Sequence, residues 1–576
     1  MTTSKEQKSE PKQYAIASWR FLLVLGAFAS LMLLIVLRLT YLHTIEQPFL
    51  FDQGEKRTLR SEVQHGMRGM ITDRFGEPLA ISTPVVDIWL NPRQVESEAI
   101  PAIAKALKLS EKTLRVRVEK AAKAKQSFMY IKRQVEPDEA SALLKMRIAG
   151  VNGESNYRRF YPAGEVTAHT VGIVNVDGRG QEGLELAYDA YLQGHDGSRQ
   201  VVKDIYGNFI KQTQVKEVAT QGGNLTLTLD LRLQYLAYRE LMAAVNQHHA
   251  ASGSAVMLDA KTGEVLALVS QPSYNPNNRV GLKPEAMRNR AVADLIEPGS
   301  TIKPFTVAAA LTSGEYGAHT PIDTAPGFIR VKNKAIRDHR NYGVLDVTGV
   351  ITKSSNVGVT KIAHHLGAQS IWEFFTQAGI GQASVLGFPG EAISQMPYPE
   401  QLDALRLATV SYGYGVALSP LHLAYAYTNF TQEGCHKPLQ LVVENRSGSD
   451  CQQVMPEKVA KQVLAMLETV LSKQGTGSRA QVNGYRAGGK TGTAHRVGRK
   501  GYEDSSYTAV FAGIAPISNP DLVLVVVIDD PKGKEYYGGE VAAPVFSRIM
   551  EQALHLRQIA PDDGSVQTLQ LAGGKQ

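Results

Sequence analysis

One uncharged apolar run, Phe21 to Leu37, sets the first constraint on this chain, because a stretch of that length and character belongs in a bilayer. Thr40, Tyr41 and Leu42 extend it, so the segment reads as a helix over residues 21–42. Lys5, Lys8, Lys12 and Arg20 precede it, which keeps the N-terminus inside and sends the remainder outward. Only Arg38-Leu39-Thr40 follows the run, with no small-residue cleavage pattern, so it reads as an uncleaved signal anchor. No later run matches it. The expected topology is a single pass, with a cytoplasmic tail at 1–20 and the bulk of the chain exported.

The 576 residues exceed what one compact core accommodates, and the composition, 43% hydrophobic and 20% charged, is that of globular protein. The net charge of +7 comes without a dense Lys/Arg run, so it suits an anionic membrane or lipid surface better than a nucleic-acid groove. Residues 43–225 mix short strands such as Val85–Leu90 with helical stretches at Glu96–Leu107 and Glu111–Ala124, and show no nucleophile–base pair. Residues 226–558 have a different character. Leu225–Leu229 alternates like a strand, Leu231–His248 has a helical period, and Ser254–Leu258 and Val265–Ser270 flank a turn at Lys261-Thr262-Gly263. Tyr507–Pro516 and Leu522–Ile528 make a further strand pair, and Ala542–Leu556 closes as a helix. Strands at both ends with helices between predict an α+β domain, an antiparallel sheet with helices on its faces. Residues 559–576 are polar and Gly-rich, and are expected to be a disordered tail. Cys435 and Cys451 have no metal-ligand spacing; outside the cytoplasm they either close a loop as a disulfide or remain thiols.

Three short motifs carry chemistry. In Glu297-Pro298-Gly299-Ser300-Thr301-Ile302-Lys303-Pro304, Pro-Gly breaks structure and Pro304 fits only a first helical turn, so Ser300 starts a helix. Lys303 then falls on the same face, its amine within reach of the Ser300 hydroxyl as a base if its pKa is lowered. The helix start supplies N–H groups for an oxyanion. Lys353-Ser354-Ser355-Asn356 is a polar turn presenting the Ser354 hydroxyl and the Asn356 amide. Gly488-Gly489-Lys490-Thr491-Gly492-Thr493 opens an edge strand. There Gly492 leaves room for an approaching backbone, and Lys490, Thr491 and Thr493 suit a carboxylate. Each motif alone is weak, and decoys exist at Ser9–Lys12, Ser273–Asn275 and Lys261–Gly263. Together, in the order S-x-x-K, S-x-N, K-T-G, they form the set shared by penicillin-binding proteins and class A β-lactamases.

Here the chain resembles the class B penicillin-binding proteins, and most of all the cell-division transpeptidases, penicillin-binding protein 3, of Gram-negative bacteria. Arg68–Arg74, Gly180–Glu185, Ser411–Gly415 and Tyr536–Gly539 carry the likeness beyond the three motifs. The resemblance implies a pedestal domain at 43–225 and, at 226–558, a transpeptidase domain of serine β-lactamase type with a five-stranded antiparallel sheet. It implies a D,D-transpeptidase acting on peptidoglycan stem peptides, with a Ser300 acyl-enzyme, Lys303 as base, Ser354 as proton relay and Asn356 holding the donor amide. Lys490, Thr491, Gly492 and Thr493 would bind the donor end, with no metal or organic cofactor. β-Lactams are the implied inhibitors. A lipid-linked precursor, a septal polytopic glycosyltransferase and single-span division regulators are the implied partners, at the inner membrane of the septum. An elongation-type enzyme is the nearest alternative. A β-lactamase fits less well, and so does a penicillin sensor.

Overall fold

The computed structural model describes residues 18–203, 209–383, 386–431, 433–443, 451–498 and 501–564. The apolar run lies in a helix from Ser18 to Thr44, 27 residues long and with no residue buried by the rest of the chain. At about 1.5 Å per residue it exceeds a hydrocarbon core of about 30 Å. Among the described residues it is the one helix long and apolar enough to cross a membrane.

The next region is built on one long strand. Pro78–Leu90 pairs antiparallel with Ile71–Thr72, Met129–Val135 and Val151–Phe160. The predicted strand at Val85–Leu90 is therefore the second half of a longer one. The predicted helices settle at Ile100–Ala106 and Glu111–Lys123, and their apolar faces (Ile103, Leu107, Leu114) pack on Ile88 and Leu90. A buried ion cluster ties this region together. Glu185, fully buried, accepts from Arg68 Nε and Arg159 Nε at 2.6 Å each.

The alternation at 225–229 forms a strand only at Leu225–Thr226, which pairs in parallel with Ile71–Thr72. Leu227 instead bridges Val442, and the Thr228 hydroxyl donates to Val265 O and Gln440 O at 2.8 and 2.9 Å. This segment is a crossing between domains, so its partners change along its length. The junction is closed by Asp73, whose carboxylate accepts from Leu231 N at 3.1 Å, and by Gln234 Nε2, which donates to Val166 O at 2.8 Å.

The second domain holds helix α1 (Leu231–Gln247) and strands β1 (Ser252–Asp259), β2 (Val265–Gln271), β3 (Gly488–Gly498), β4 (Gly501–Ala515) and β5 (Leu522–Asp529). They form one antiparallel sheet in the order β2-β1-β5-β4-β3. The two ends of this domain therefore meet at β1 and β5. Leu522 to Ile528 are buried without a break, so helices must cover both faces. Between β2 and β3 lies a helical region with α2 (Lys303–Ser313), α3 (Asn356–Gln377) and α4 (Pro420–Tyr427), and the closing helix is α5 (Ala543–Leu556).

Cys435 and Cys451 form a disulfide, with Cα atoms 5.7 Å apart, beside the short pairing of Cys435–His436 with Gln452–Gln453. The expected disordered tail starts too early at 559. Ile559 packs on the core, its carbonyl accepts from Tyr485 OH at 2.7 Å, and Asp562 accepts from Arg486 N at 2.7 Å. The rest of that expectation, 565–576, lies outside the described residues, as do residues 1–17 of the predicted cytoplasmic tail.

Candidate active site

The Ser300 turn is a 3₁₀ segment, Gly299–Ile302, that runs directly into α2. Pro304 sits in the first turn of α2, where no N–H is required. Two segments hold the turn in place. Gly299 N donates to Gly413 O at 3.2 Å, and Thr306 Oγ1 donates to Ser411 O at 2.9 Å. Gly413 has φ +90°, and a Cβ there would lie 2.0 Å from Gly299 O, so only glycine fits. On the other side Tyr427 OH, from α4, donates to Thr301 O at 2.8 Å. Ser411–Gly415 stood out in the sequence only as a family mark. Structurally it is the bed of the Ser300 turn.

Lys303 is fully buried, and its ammonium reaches the second motif. Nζ donates to Ser354 O at 2.5 Å, Ser354 Oγ at 3.1 Å and Asn356 Oδ1 at 2.8 Å. Ser354 itself has φ +57°, a conformation uncommon for serine and held here by its surroundings. Ser355 caps α3, its hydroxyl accepting from Gly358 N at 2.9 Å.

Asp338 holds this turn from behind. Its carboxylate accepts from Ser355 Oγ and Asn356 N, both at 2.6 Å, and from Val357 N at 3.0 Å. The Asn356 amide also donates to Arg337 O at 2.9 Å. No local pattern marks Asp338, because its partners lie on another element.

The third motif is on β3, at the edge of the sheet as expected. Lys490 is fully buried, and its Nζ donates to the same Ser354 Oγ at 3.0 Å and to Thr491 O at 3.2 Å. Thr491 Oγ1 lies 2.9 Å from Thr476 Oγ1, and Thr493 Oγ1 accepts from Gly538 N at 2.9 Å. Gly492 departs from the expected reason for a glycine. A Cβ there would lie 2.6 Å from Pro298 O, so the backbone it admits is the protein's own Ser300 turn. A Cβ on Gly299 would lie 3.5 Å from Thr493 N, which shows how closely that turn and β3 abut.

Ser300, Ser354, Asn356, Thr491 and Thr493 thus face one cleft of about 670 Å³, and Lys303 and Lys490 lie beneath its floor. Tyrosines wall it: Tyr412 and Tyr414 on one element, and Tyr507 stacked on Tyr536 at 4.4 Å on another. Burial, reinforced by the Lys490 charge, pushes Lys303 well below the usual lysine pKa, and Asp338 opposes the fall. Burial pushes Lys490 down to about 7. The floor therefore carries two amines that release protons readily beside a hydroxyl-lined cleft. Among the described residues no cluster of three His, Cys, Asp or Glu side chains is placed to hold a metal.

This architecture, a Ser-Lys turn and an S-x-N turn facing a K-T-G edge strand, is that of the penicillin-recognising serine acyl-transferases. Residues 253–551 match the penicillin binding protein transpeptidase domain, and residues 63–227 match the penicillin-binding protein dimerisation domain. The chain is 41% identical to the probable peptidoglycan D,D-transpeptidase PbpC of Pseudomonas aeruginosa, over 95% of this chain and 96% of that one. It is 40% identical to the peptidoglycan D,D-transpeptidase FtsI of Escherichia coli, over 97% and 95%. Among solved structures, penicillin binding protein 3 of Mycobacterium tuberculosis in complex with aztreonam superposes with a TM-score of 0.68 at 27% identity, covering 87% of this chain and 98% of that one. The chain belongs to the penicillin-binding protein transpeptidase family.

Proposed function

We propose that this peptidoglycan D,D-transpeptidase cross-links stem peptides through an acyl-enzyme on Ser300. The supporting observation is the Ser354 hydroxyl, shared between two buried lysines at 3.1 and 3.0 Å. A shared hydroxyl of that kind serves as a proton conduit between them.

Lys303, in its neutral form, takes the Ser300 proton as Oγ attacks the carbonyl carbon of the penultimate D-Ala. The N–H groups of Ser300 and Thr493 hold the oxyanion, and one such donor is worth roughly 3–4 kcal/mol of barrier. Ser354 passes the proton to the nitrogen of the terminal D-Ala, the C–N bond breaks, and D-Ala departs as a free amine. Asn356 holds the donor amide. Lys490, with Thr491, Gly492 and Thr493, holds the terminal carboxylate. The amine of a neighbouring stem then attacks the ester, forming the cross-link and returning Ser300 to the hydroxyl. A β-lactam presents the same carbonyl and carboxylate, and acylates Ser300 without a rapid second step.

Mass spectrometry of a penicillin adduct tests this. A mass increase mapped to the peptide bearing Ser300, and lost in Lys303→Ala with the fold retained, is expected. Modification elsewhere refutes it. The anchor orientation, N-terminus inside, and the septal site are part of the same proposal, as are a polytopic glycosyltransferase and single-span regulators as partners. Small residues on the anchor, Gly26, Ala27, Ala29 and Ser30, would allow a partner helix to approach closely. A fluorescent fusion forming midcell rings supports division. Patches along the side wall would point to elongation.

A further inference from the structure

The hairpin of Phe328–Val331 and Lys334–Arg337 stands beside the mouth of the catalytic cleft and faces two ways. On its inner side Val331 and Ile336 are buried against Ala408, with Leu405 and Tyr412 packed around them. Tyr412 walls the cleft. The chain leaving the hairpin places Asp338 behind Ser355 and His339 on the cleft lining. A ligand on the outer side of the hairpin thus lies next to the cleft without entering it.

That outer side carries one sign of charge. Alternation along the paired strands turns Phe328, Arg330 and Arg337 outward. Lys332 and Lys334 stand at the turn, Arg340 follows, and all five cations are exposed. The nearby acids are engaged elsewhere. Asp403 takes Lys332 Nζ at 3.0 Å and caps the helix Ala404–Ser411. Asp346 takes His319 at 3.1 Å and caps the helix that starts at Val347. Asp323 accepts from Ala325 N at 2.9 Å, and Asp338 is turned to the Ser355 turn. Among the described residues Arg330, Lys334, Arg337 and Arg340 form no ion pair.

Two of these arginines are braced on aromatic rings, Arg337 over Phe328 at 5.4 Å and Arg340 over Tyr342 at 5.3 Å from the ring centre. A guanidinium held this way presents its planar fork of N–H donors to a carboxylate with little ordering left to do. Lys332 adds backbone strain, with φ +52° at a hairpin turn where glycine or asparagine sits more easily. A lysine there puts charge at the hairpin tip at a conformational cost.

We infer that this hairpin face is a docking site, outside the catalytic cleft, for uncross-linked peptidoglycan strands, recognised by the free carboxylates of their stem peptides. Such a strand repeats an anionic stem. With one stem in the cleft, its neighbours lie over the rim, and a row of cations there holds the strand while the chemistry proceeds. The choice of a strand over an acidic protein follows from the adjoining cleft, and so rests on the reading proposed above.

The test uses the full chain in detergent, first treated with penicillin to block the cleft, and reads binding of labelled uncross-linked strands by fluorescence anisotropy. Replacing Arg330, Lys334 and Arg340 together by Gln should weaken binding about tenfold, the combined worth of three exposed charge contacts. Tm and the rate of penicillin acylation should stay as in the parent chain, since none of the three side chains lines the cleft. Arg330→Lys with Arg340→Lys should keep most of the affinity, and strands with amidated carboxylates should lose it. Equal binding by the triple Gln variant, or by amidated strands, would overturn the site. Poly-glutamate binding to the parent chain and not to the variant, with strands binding neither, would overturn the strand as occupant and assign the face to an acidic protein segment. Failure of penicillin to modify Ser300 would overturn the acyl-enzyme reading instead, and is seen separately in the mass of the adduct.

Discussion

Replacing Asp338 with Asn should lower stability and yet let acylation proceed at lower pH. The carboxylate accepts two backbone N–H groups at the start of α3 and the Ser355 hydroxyl. Asparagine keeps an oxygen for the N–H pair and turns its amide towards Ser355 Oγ, so the shape survives and the charge does not. Losing a charge at a helix N-terminus costs about 0.3–1 kcal/mol, and weakening charge-assisted bonds to neutral ones adds about 1 kcal/mol. The sum, about 1–2 kcal/mol, corresponds to a Tm lower by about 2–6 °C for a domain of this size. The effect on chemistry has the opposite sign. Asp338 holds the Lys303 pKa up against burial and the Lys490 charge. Without it Lys303 loses its proton more readily, and the neutral base persists to lower pH. The acid limb of the penicillin acylation rate, followed by stopped-flow or quenched mass spectrometry, should move to lower pH while Tm falls. A limb that stays in place or moves up would refute the charge coupling. An unchanged Tm would refute the role of Asp338 in holding the turn.

Three further outcomes are expected. Gly413→Ala, whose Cβ would meet Gly299 O at 2.0 Å, should cost about 2–4 kcal/mol in thermal unfolding and slow acylation through displacement of the Ser300 turn. Glu185→Gln leaves Arg68 with Asp189 but takes from the buried Arg159 its carboxylate partner, and should destabilise the pedestal by about 3–5 kcal/mol in urea unfolding, with Ser300 labelling intact in whatever stays folded. Lys490 titrates at about 7, and its charge is present below that pH. Donors with a free terminal carboxylate should therefore lose their advantage over the methyl ester as pH rises through about 7, read as the ratio of acylation rates; a ratio flat across that range would deny Lys490 the carboxylate.

Much of the site was legible because its residues also punctuate structure. Pro298-Gly299 and Pro304 bracket a helix start whatever the chemistry, and Gly488-Gly489 marks the entry to β3. What could not be read were contacts made across elements. Asp338 lies at the end of a short strand, Lys334–Arg337, in a run of polar residues, and only the fold brings it under Ser355 and Asn356. Gly492 looked like a slot for an incoming strand, but local sequence cannot say which backbone approaches a glycine. Leu225–Leu229 alternates like a strand, yet Leu225, Leu227 and Thr228 find partners on three different segments.

The position of the site follows from the way the sheet closes. Because β1 and β5 pair, β4 and then β3 are laid outward, and β3 becomes an edge with one side unpaired by sheet. The helical region between β2 and β3 presses its Ser300 and Ser354 turns against that edge. Close approach demands small residues along the seam: Gly413 against Gly299, Gly492 against Pro298, Gly538 against Gly492. The same closeness excludes water from Lys303 and Lys490, and exclusion of water is the first cause of both lowered pKa values. Base strength at the floor is thus a property of how tightly the seam is shut. A substitution that opens it by a few tenths of an ångström, far from any reacting atom, should rehydrate the lysines and raise their pKa values towards that of an exposed amine, weakening acylation at neutral pH before it unfolds the domain.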